Sequence, residues 1–415
     1  MLLSEVFIYI LLAFFLFQIV LLYVLRWRTD KRIFNQSLET LTSHEPSTKT
    51  TGENVYVSRF TDGSRQPVSL VIPTANQAEQ LRRIIPLLME QRYNGCFEVI
   101  VADQKSTDFT QDYVEGLRQQ YENLRYVQLP ESLRHIALRK IAITLGVKAA
   151  RNEWVIVVNP ETVPTSKEWL HNFARYLNPE LDFVSAYFNY YDDETSQTRR
   201  ALFERIRLFN IRIAAWKNGQ VVGCEPVNIA LRKKWFLSEG GFSDSLNLPF
   251  GEELLFANHH ASPTRSAFVV NPYLQLEEQN PSTDELKDRR VHFLEVQQHL
   301  QGYAVLYSPL CDLAVSLIVY LQMLVAFVYL FVRISQSLSV FSYDLNYIYV
   351  DLLFVLSAVL YGWGTVHFIG LSLKAIKVPK YEFYIWIYDL MYPFHYISLQ
   401  FQRLKRRKEF VRNYM

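Results

Sequence analysis

Cysteine is scarce in this chain: Cys96, Cys224 and Cys311 are the only three among 415 residues. So few thiols, so widely scattered, build neither a disulfide framework nor a zinc site. They suit a reducing compartment for the main domain. An excess of one charge is lacking as well, since 43 Lys and Arg against 41 Asp and Glu leave a formal net charge of +2. The basic residues flank apolar runs rather than lining a folded groove, which argues against nucleic-acid binding. There is no internal repeat and no long low-complexity tract. The apolar runs are few and carry no ionisable pair deep inside, which argues against a transporter. A chain of this length holds one large catalytic domain plus membrane segments.

What is abundant is apolar surface. Half of the residues are hydrophobic and 15% are aromatic. Residues 6–25 are almost purely apolar, and about 20 such residues span a bilayer. Arg26, Arg28, Lys31 and Arg32 follow, so the positive-inside rule places the next segment in the cytoplasm. A cleaved signal peptide fits poorly, because the run is too long and no basic region precedes it. Two further candidate spans cover residues 310–332 and 351–373, the second followed by Lys374, Lys377 and Lys380. Residues 382–400 are interrupted by Glu382, Asp389 and Pro393, and a basic tail of Arg403, Lys405, Arg406, Arg407 and Lys408 comes after. This pattern predicts an interfacial helix lying flat, with its tail on anionic lipid. The expected organisation is therefore an N-terminal transmembrane anchor (1–27), a polar linker (28–66), a cytoplasmic domain (67–305), two transmembrane helices (306–374), and an interfacial amphipathic helix with a basic tail (375–415).

Within the body, three β-branched runs each end in a polar cluster: Val68 to Pro73, Phe97 to Asp103, and Glu153 to Asn159. Helical spacing follows the first run at Leu81, Ile84, Ile85, Leu88 and Met89. Ser106 and Asp108 offer caps to a helix ending near Gln120. Residues 136–150 read as an amphipathic helix, and Trp154 to Val158 as a central strand. Alternating strands and helices predict an α/β fold with a mostly parallel sheet and helices on both faces. In such a sheet a nucleotide binds at the carboxyl ends of the strands. Further on, Phe183 to Tyr191 reads as a strand and residues 196–217 as a basic amphipathic helix, either a plain surface helix or one touching the membrane face. Gly223 to Leu231 and Gly240-Gly241-Phe242 read as a loop–helix–loop passage closing on Glu252-Glu253.

Six blocks in order carry a family resemblance: the strand ending Ile72-Pro73; the strand ending at Asp103 with Ser106-Thr107-Asp108; a helix with Arg139-Lys140 leading to Ala149-Ala150-Arg151-Asn152-Glu153-Trp154, a strand and Asn159-Pro160-Glu161; Asn228-Ile229-Ala230-Leu231-Arg232-Lys233; Gly240-Gly241-Phe242; and Gly251-Glu252-Glu253. Over residues 67–256 this order resembles glycosyltransferase family 2, and the flanking apolar runs resemble its membrane-anchored bacterial members. The resemblance implies a GT-A fold, Rossmann-like and mixed, accompanied by transmembrane helices. It also implies an inverting transfer from a nucleotide-diphosphate sugar to an acceptor hydroxyl. A cation held by carboxylates would steady the leaving phosphates, and a carboxylate on the attacking side would take the acceptor proton.

Carried over residue by residue, the resemblance places Pro73, Asp103, Lys140 and Asn159 at the nucleotide sugar. Asp103 lacks the second Asp usual in the family, Gln104 standing there instead; a strand-end role satisfying local backbone is the alternative for Asp103. Arg134, Arg139 and Lys140 precede or open the helix whose family counterpart carries a nucleotide-facing lysine; an exposed basic helix face is the equal alternative for Lys140 and the favoured one for Arg134. Where the family carries Asp-x-Asp, this chain has Asn159-Pro160-Glu161. Asn159 and Glu161 are the expected ligands of magnesium or manganese, with affinity lowered by the missing carboxylate. Glu253 occupies the position of the base with Glu252 beside it, although a plain helix start would also favour both charges. Asn228 and Arg232 match the acceptor side. Trp235 is expected to pack in the core, and the neighbouring His259 and His260 are expected to diverge. The Gln-x-x-Arg-Trp motif of processive synthases is missing between 260 and 310, where Arg289-Arg290 and Gln297-Gln298 stand without a Trp.

The expected activity is transfer of one sugar to a lipid-linked or glycan acceptor at the inner membrane of a bacterium, with the catalytic domain cytoplasmic and membrane lipids as partners. A degenerate scaffold or binding subunit is the alternative, motivated by Gln104, Asn159 and Glu253.

Overall fold

The computed structural model describes residues 66–301, apart from 134–136, 192, 194 and 279–281, then a few isolated positions and the helix 382–414. The candidate spans 6–25, 310–332 and 351–373 lie outside the described residues or touch them only at isolated positions. Among the described residues no helix is long and apolar enough to cross a membrane.

The chain enters on β1 (Val68–Thr74), crosses through α1 (Ala78–Met89) to β2 (Phe97–Asp103), and through α2 (Thr110–Arg118) to β3 (Leu124–Gln128). It returns through α3 (Leu138–Ala149) to β4 (Trp154–Val157). After β5 (Thr162–Pro164) and α4 (Trp169–Ala174) come β6 (Phe183–Ala186), β7 (Asn189–Tyr190) and the 22-residue α5 (Ser196–Lys217). β8 (Ile229–Arg232), α6 (Lys233–Ser238), α7 (Glu252–His260), β9 (Ser266–Val269), β10 (Leu276–Glu278) and α8 (Thr283–Val296) complete the body. A last helix, α9, spans Glu382–Tyr414.

The main sheet has seven strands in the order β3-β2-β1-β4-β8-β6-β9. Only β8 runs against its neighbours β4 and β6; the remaining pairings are parallel. A small second sheet orders β5-β10-β7. The architecture is thus a GT-A-like α/β fold with a mostly parallel sheet. The chain leaves β1 toward β2 on one side and returns to β4 on the other. A crevice opens at that point, outside the carboxyl ends of the two strands.

Both faces of the sheet are buried, which is why the central strands read as continuous apolar runs. Val68, Leu70 and Ile72 pack on α1 through Leu81, Ile84, Ile85 and Leu88. Val71, Ile100, Val155 and Val157 pack on α3 through Ala142, Ile143 and Val147. Gly146 sets how near α3 can come, because a Cβ there would lie 2.5 Å from Val71 Cγ1.

Two expectations are corrected at this level. The passage from Gly223 to Leu231 contains a strand, since β8 inserts antiparallel between β4 and β6 with Ile229 opposite Val157. Four residues bounded by a loop and a helix are too few for periodicity to reveal. The basic helix 196–217 is not a plain surface helix. It is a wall of the site, with Arg207 and Arg212 buried.

α9 packs Tyr396 and Leu399 against Val291 and Leu294 of α8. Its Asp389 accepts a hydrogen bond from Arg207 Nη1 of α5 at 3.0 Å. Its opposite face presents Met391, Phe394, Phe401 and Leu404, each more than half exposed.

Candidate active site

A cavity of about 520 Å³ occupies the crevice. Pro73 and Gln104 reach it from the ends of β1 and β2, Asn159 and Glu161 from the loop after β4, Arg139 from α3, and Glu252 and Glu253 from the start of α7. α5 contributes Arg205, Arg207 and Arg212, β10 contributes Glu278, and α8 contributes Arg289 and Arg290. Toward α9 the lining turns apolar and aromatic, with Tyr392, Tyr396 and Leu399.

The geometry around Glu253 is tight. Gly251 precedes α7 with φ of +80°, and a Cβ there would fall 2.6 Å from Val296 Cγ2. Glycine therefore lets the chain turn sharply into α7 while α8 lies against it. Glu252 and Glu253 then sit in the first helical turn, where the helix dipole favours negative charge. Glu253 is only 4% exposed. Burial pushes its carboxyl up to about 7; Arg139 opposes that shift and the neighbouring Glu252 adds to it. A carboxylate that takes up a proton near neutrality suits a general base.

Two guanidinium groups organise the floor. Arg139 Nη2 donates to Asn159 Oδ1 and to Glu253 Oε1, both at 2.9 Å, and Arg139 Nε lies 3.8 Å from Glu252. Arg289 donates to Glu161 Oε2 at 2.9 Å through Nη2 and to Glu278 Oε1 through Nη1. Gln77 Nε2 also donates to Glu161, at 3.1 Å. Burial raises the pKa of Glu161 above its ordinary value; Arg289 opposes the shift and the nearby Glu278 adds to it. Arg205 is stacked over Phe188 and Tyr190, 3.5 Å from Glu278.

The residues expected at the donor divide sharply. Pro73, Asn159, Glu161, Glu252 and Glu253 share the cavity. Asp103 does not line it. Its carboxylate accepts from Ser106 N and Oγ, from Tyr126 Oη at 2.9 Å and from Gln128 Nε2 at 3.3 Å. These donors fasten the loop after β2, which is the strand-end role. Lys140 is also displaced from the expected place. Fully buried, it donates from Nζ to the carbonyls of Ser245 at 2.5 Å and Leu248 at 2.9 Å. Burial lowers its pKa, while Glu252 and Glu253 oppose that shift.

The acceptor-side expectations also move. Asn228 has φ of +61° and sits inside the core. It donates from Nδ2 to the carbonyls of Tyr187 and Leu274 and accepts from Trp169 Nε1. Arg232 lies opposite Trp154, the first residue of β4, so it is at the far end of the sheet from the crevice. It donates to the carbonyls of Leu181 and Asn178. In both cases the polar side chain satisfies buried backbone that no local pattern announces. Trp235 packs edge-on against Phe183 and Phe256 in the core. His259 and His260 do converge, with Asp244, to within 4.8 Å. His260 Nδ1 faces Glu239, however, and His259 Nε2 faces the carbonyl of His299.

Residues 69–238 match the family model described as Glycosyl transferase family 2. This segment is similar to family 2 glycosyltransferase domains. A stretch of 118 residues is 27% identical to the chondroitin synthase of Pasteurella multocida (strain Pm70), covering 28% of this chain and 12% of that protein. The chain thus spans only a small part of that relative's length. Among solved structures, the mannosyltransferase PcManGT from Pyrobaculum calidifontis, in complex with GDP-Man and Mn2+, aligns with a TM-score of 0.50 at 16% identity. That alignment covers 88% of this chain and 99% of the archaeal one. S. aureus TarS 1–349 in complex with UDP aligns at 15% identity with a TM-score of 0.40, covering 79% and 89%. At such identities the first of these likenesses shows the shared fold.

Arg205, Glu278 and Arg289 are cavity residues that sequence reasoning missed. Glu278 sits on a three-residue strand, and the two arginines read locally as charges on solvated helices. The exchange of Lys140 for Arg139 was legible in principle. Lys140, Ile143 and Val147 recur at helical spacing on the buried face of α3, whereas Arg139 is a third of a turn away. Lys140→Met is therefore expected to lower the melting temperature by removing the Lys140 donor from the Leu248 carbonyl, at about 1–3 kcal/mol, while the Ser245 carbonyl keeps the Leu248 amide. Nucleotide affinity, read by calorimetry, should stay close to that of the parent. A large affinity loss with an unchanged melting temperature would return Lys140 to the donor.

Proposed function

We propose that the chain is an inverting glycosyltransferase that moves a single sugar from a nucleotide-diphosphate sugar to an acceptor hydroxyl. The observation that carries this reading is the placement of Glu253. It is buried at the start of α7, tuned toward neutrality, and shares one cavity with the strand-end residues Pro73 and Asn159. In this mechanism the carboxylate of Glu253 takes the proton of the acceptor hydroxyl. The hydroxyl oxygen forms the new bond to the anomeric carbon, and the bond from that carbon to the diphosphate breaks on the opposite face. The nucleoside diphosphate leaves with the electron pair.

The acceptor is lipid-linked or held at the membrane, and the product belongs to surface polysaccharide or glycolipid assembly. Three features support this. The runs 6–25, 310–332 and 351–373 are apolar enough in sequence to anchor the chain. The outward face of α9 is apolar at Met391, Phe394, Phe401 and Leu404, which suits a helix resting in the headgroup region with the basic tail on anionic lipid. The cavity becomes apolar on the side of that same helix. The flanking Lys and Arg support a domain on the cytoplasmic side of a bacterial inner membrane.

To test the reading, the full chain in detergent is incubated with a panel of nucleotide sugars and a lipid extract of bacterial membranes. The expected result is one-sugar extension of a lipid-soluble product. Binding of nucleotide sugars without turnover of any, and with Glu253 substitutions leaving the deletion phenotype fully complemented, would favour the scaffold instead.

A further inference from the structure

In a GT-A site a divalent cation balances the leaving diphosphate, so the fit of this chain's residues to such an ion is a direct question. A magnesium or manganese site needs several oxygen ligands free to converge at about 2.0–2.2 Å. Here the two positions of the motif supply one neutral amide, Asn159, and one carboxylate, Glu161. Each already faces a guanidinium at 2.9 Å, Asn159 that of Arg139 and Glu161 that of Arg289. Among the described residues, the one group of three acidic or imidazole side chains close enough to hold a metal is Asp244, His259 and His260, which lie outside this cavity. The donor set does not fit a divalent ion, and the positions that would surround one are held by fixed cations.

We propose that Arg139 and Arg289 take the place of the divalent cation, so that this chain binds its nucleotide-diphosphate donor without a metal. The inference rests on the donor reading given above. The replacement is sound in charge: one carboxylate of the usual motif is absent here and two guanidinium groups stand in the cavity. It is sound in geometry as well. Arginine carries five N–H donors in a rigid fork that matches phosphate oxygens. Arg139 uses Nη2 on Asn159 and Glu253, and Arg289 uses Nη1 and Nη2 on Glu278 and Glu161. Donors on both groups remain for a diphosphate. A third cation points the same way. Arg205 Nη1 is buried in this cavity's wall with no hydrogen-bond partner, a cost that an arriving anion removes.

Arg139 also links donor to base. Its contact with Glu253 means that a diphosphate drawing the guanidinium toward itself loosens the base for the acceptor hydroxyl. Donor binding therefore precedes acceptor activation.

The test is calorimetric titration of the full chain in detergent with UDP and with GDP, first in EDTA and then in manganese. The expected result is binding of one of them in EDTA with the affinity seen in manganese. Arg139→Gln and Arg289→Gln should each lose about ten- to a hundredfold in affinity in EDTA. Arg139→Lys, which keeps the charge, should recover part of that loss. Binding that appears only in manganese, or strengthens about tenfold or more on adding it, overturns the inference and leaves the donor reading intact. Binding in neither condition overturns both. The parent comparison stands even if an arginine variant fails to fold.

Discussion

Glu253→Gln is expected to abolish sugar transfer while the protein still folds and still binds nucleotide. The substitution keeps size and shape at a site that is 4% exposed, so packing barely changes. It removes the carboxylate assigned to take the acceptor's proton. Loss of a positioned general base costs about 10²–10⁴-fold in rate, and kcat should carry nearly all of it. The pH profile sharpens the prediction. Burial raises the Glu253 carboxyl to about 7 against the pull of Arg139. A base works only when ionised, so activity should climb as pH rises through that region and flatten above it. In the glutamine variant the residual rate should lose that limb. A variant that keeps the parent's rate and the parent's profile would remove Glu253 from the chemistry.

Arg207→Met is expected to detach α9 from the catalytic domain. Arg207 is 7% and Asp389 2% exposed at the side chain, and they pair at 3.0 Å across α5 and α9. The guanidinium also lies 4.0 Å from the ring centre of Tyr392. Removing one partner leaves Asp389 buried without its cation, which costs about 3–5 kcal/mol. Among the described residues this helix is also held by Tyr396 and Leu399 on α8 and by Tyr388 and Tyr392 against the main core. The loss should therefore appear as earlier thermal unfolding of the full chain and as new protease cleavage within residues 382–414. Pairing the change with Asp389→Leu should restore most of the stability, because two apolar groups can replace a buried ion pair at little cost. If the single variant melts like the parent and α9 stays protected, the pair is not what docks the helix.

The correspondence between pattern and structure varied by the range of the interactions involved. The strands β1, β2 and β4 were legible because each is a β-branched run buried on both faces. The parallel order around the crevice followed from their alternation with helices. Pro73 and Asn159, as strand ends, and Glu253, as a residue after a glycine, came to one cavity because strand and helix termini are local features. β8 escaped notice because its four residues are a strand only by virtue of β4 and β6 on either side. Asn228 and Arg232 looked like site residues because their order resembles the family's motif on the acceptor side. Their actual partners are backbone carbonyls some 40 to 55 positions away in the chain.

By itself the sequence determined the alternation of strands and helices from β1 to β4, the crevice at the ends of β1 and β4, and the lack of one carboxylate in the motif after β4. Each depends on residues within a few positions of one another, where periodicity and turn chemistry act. Only the tertiary structure decided which cations face the cavity. Arg139, Arg205 and Arg289 find Asn159, Glu278 and Glu161 across long separations, and a buried charge goes wherever the fold brings an opposite one within reach.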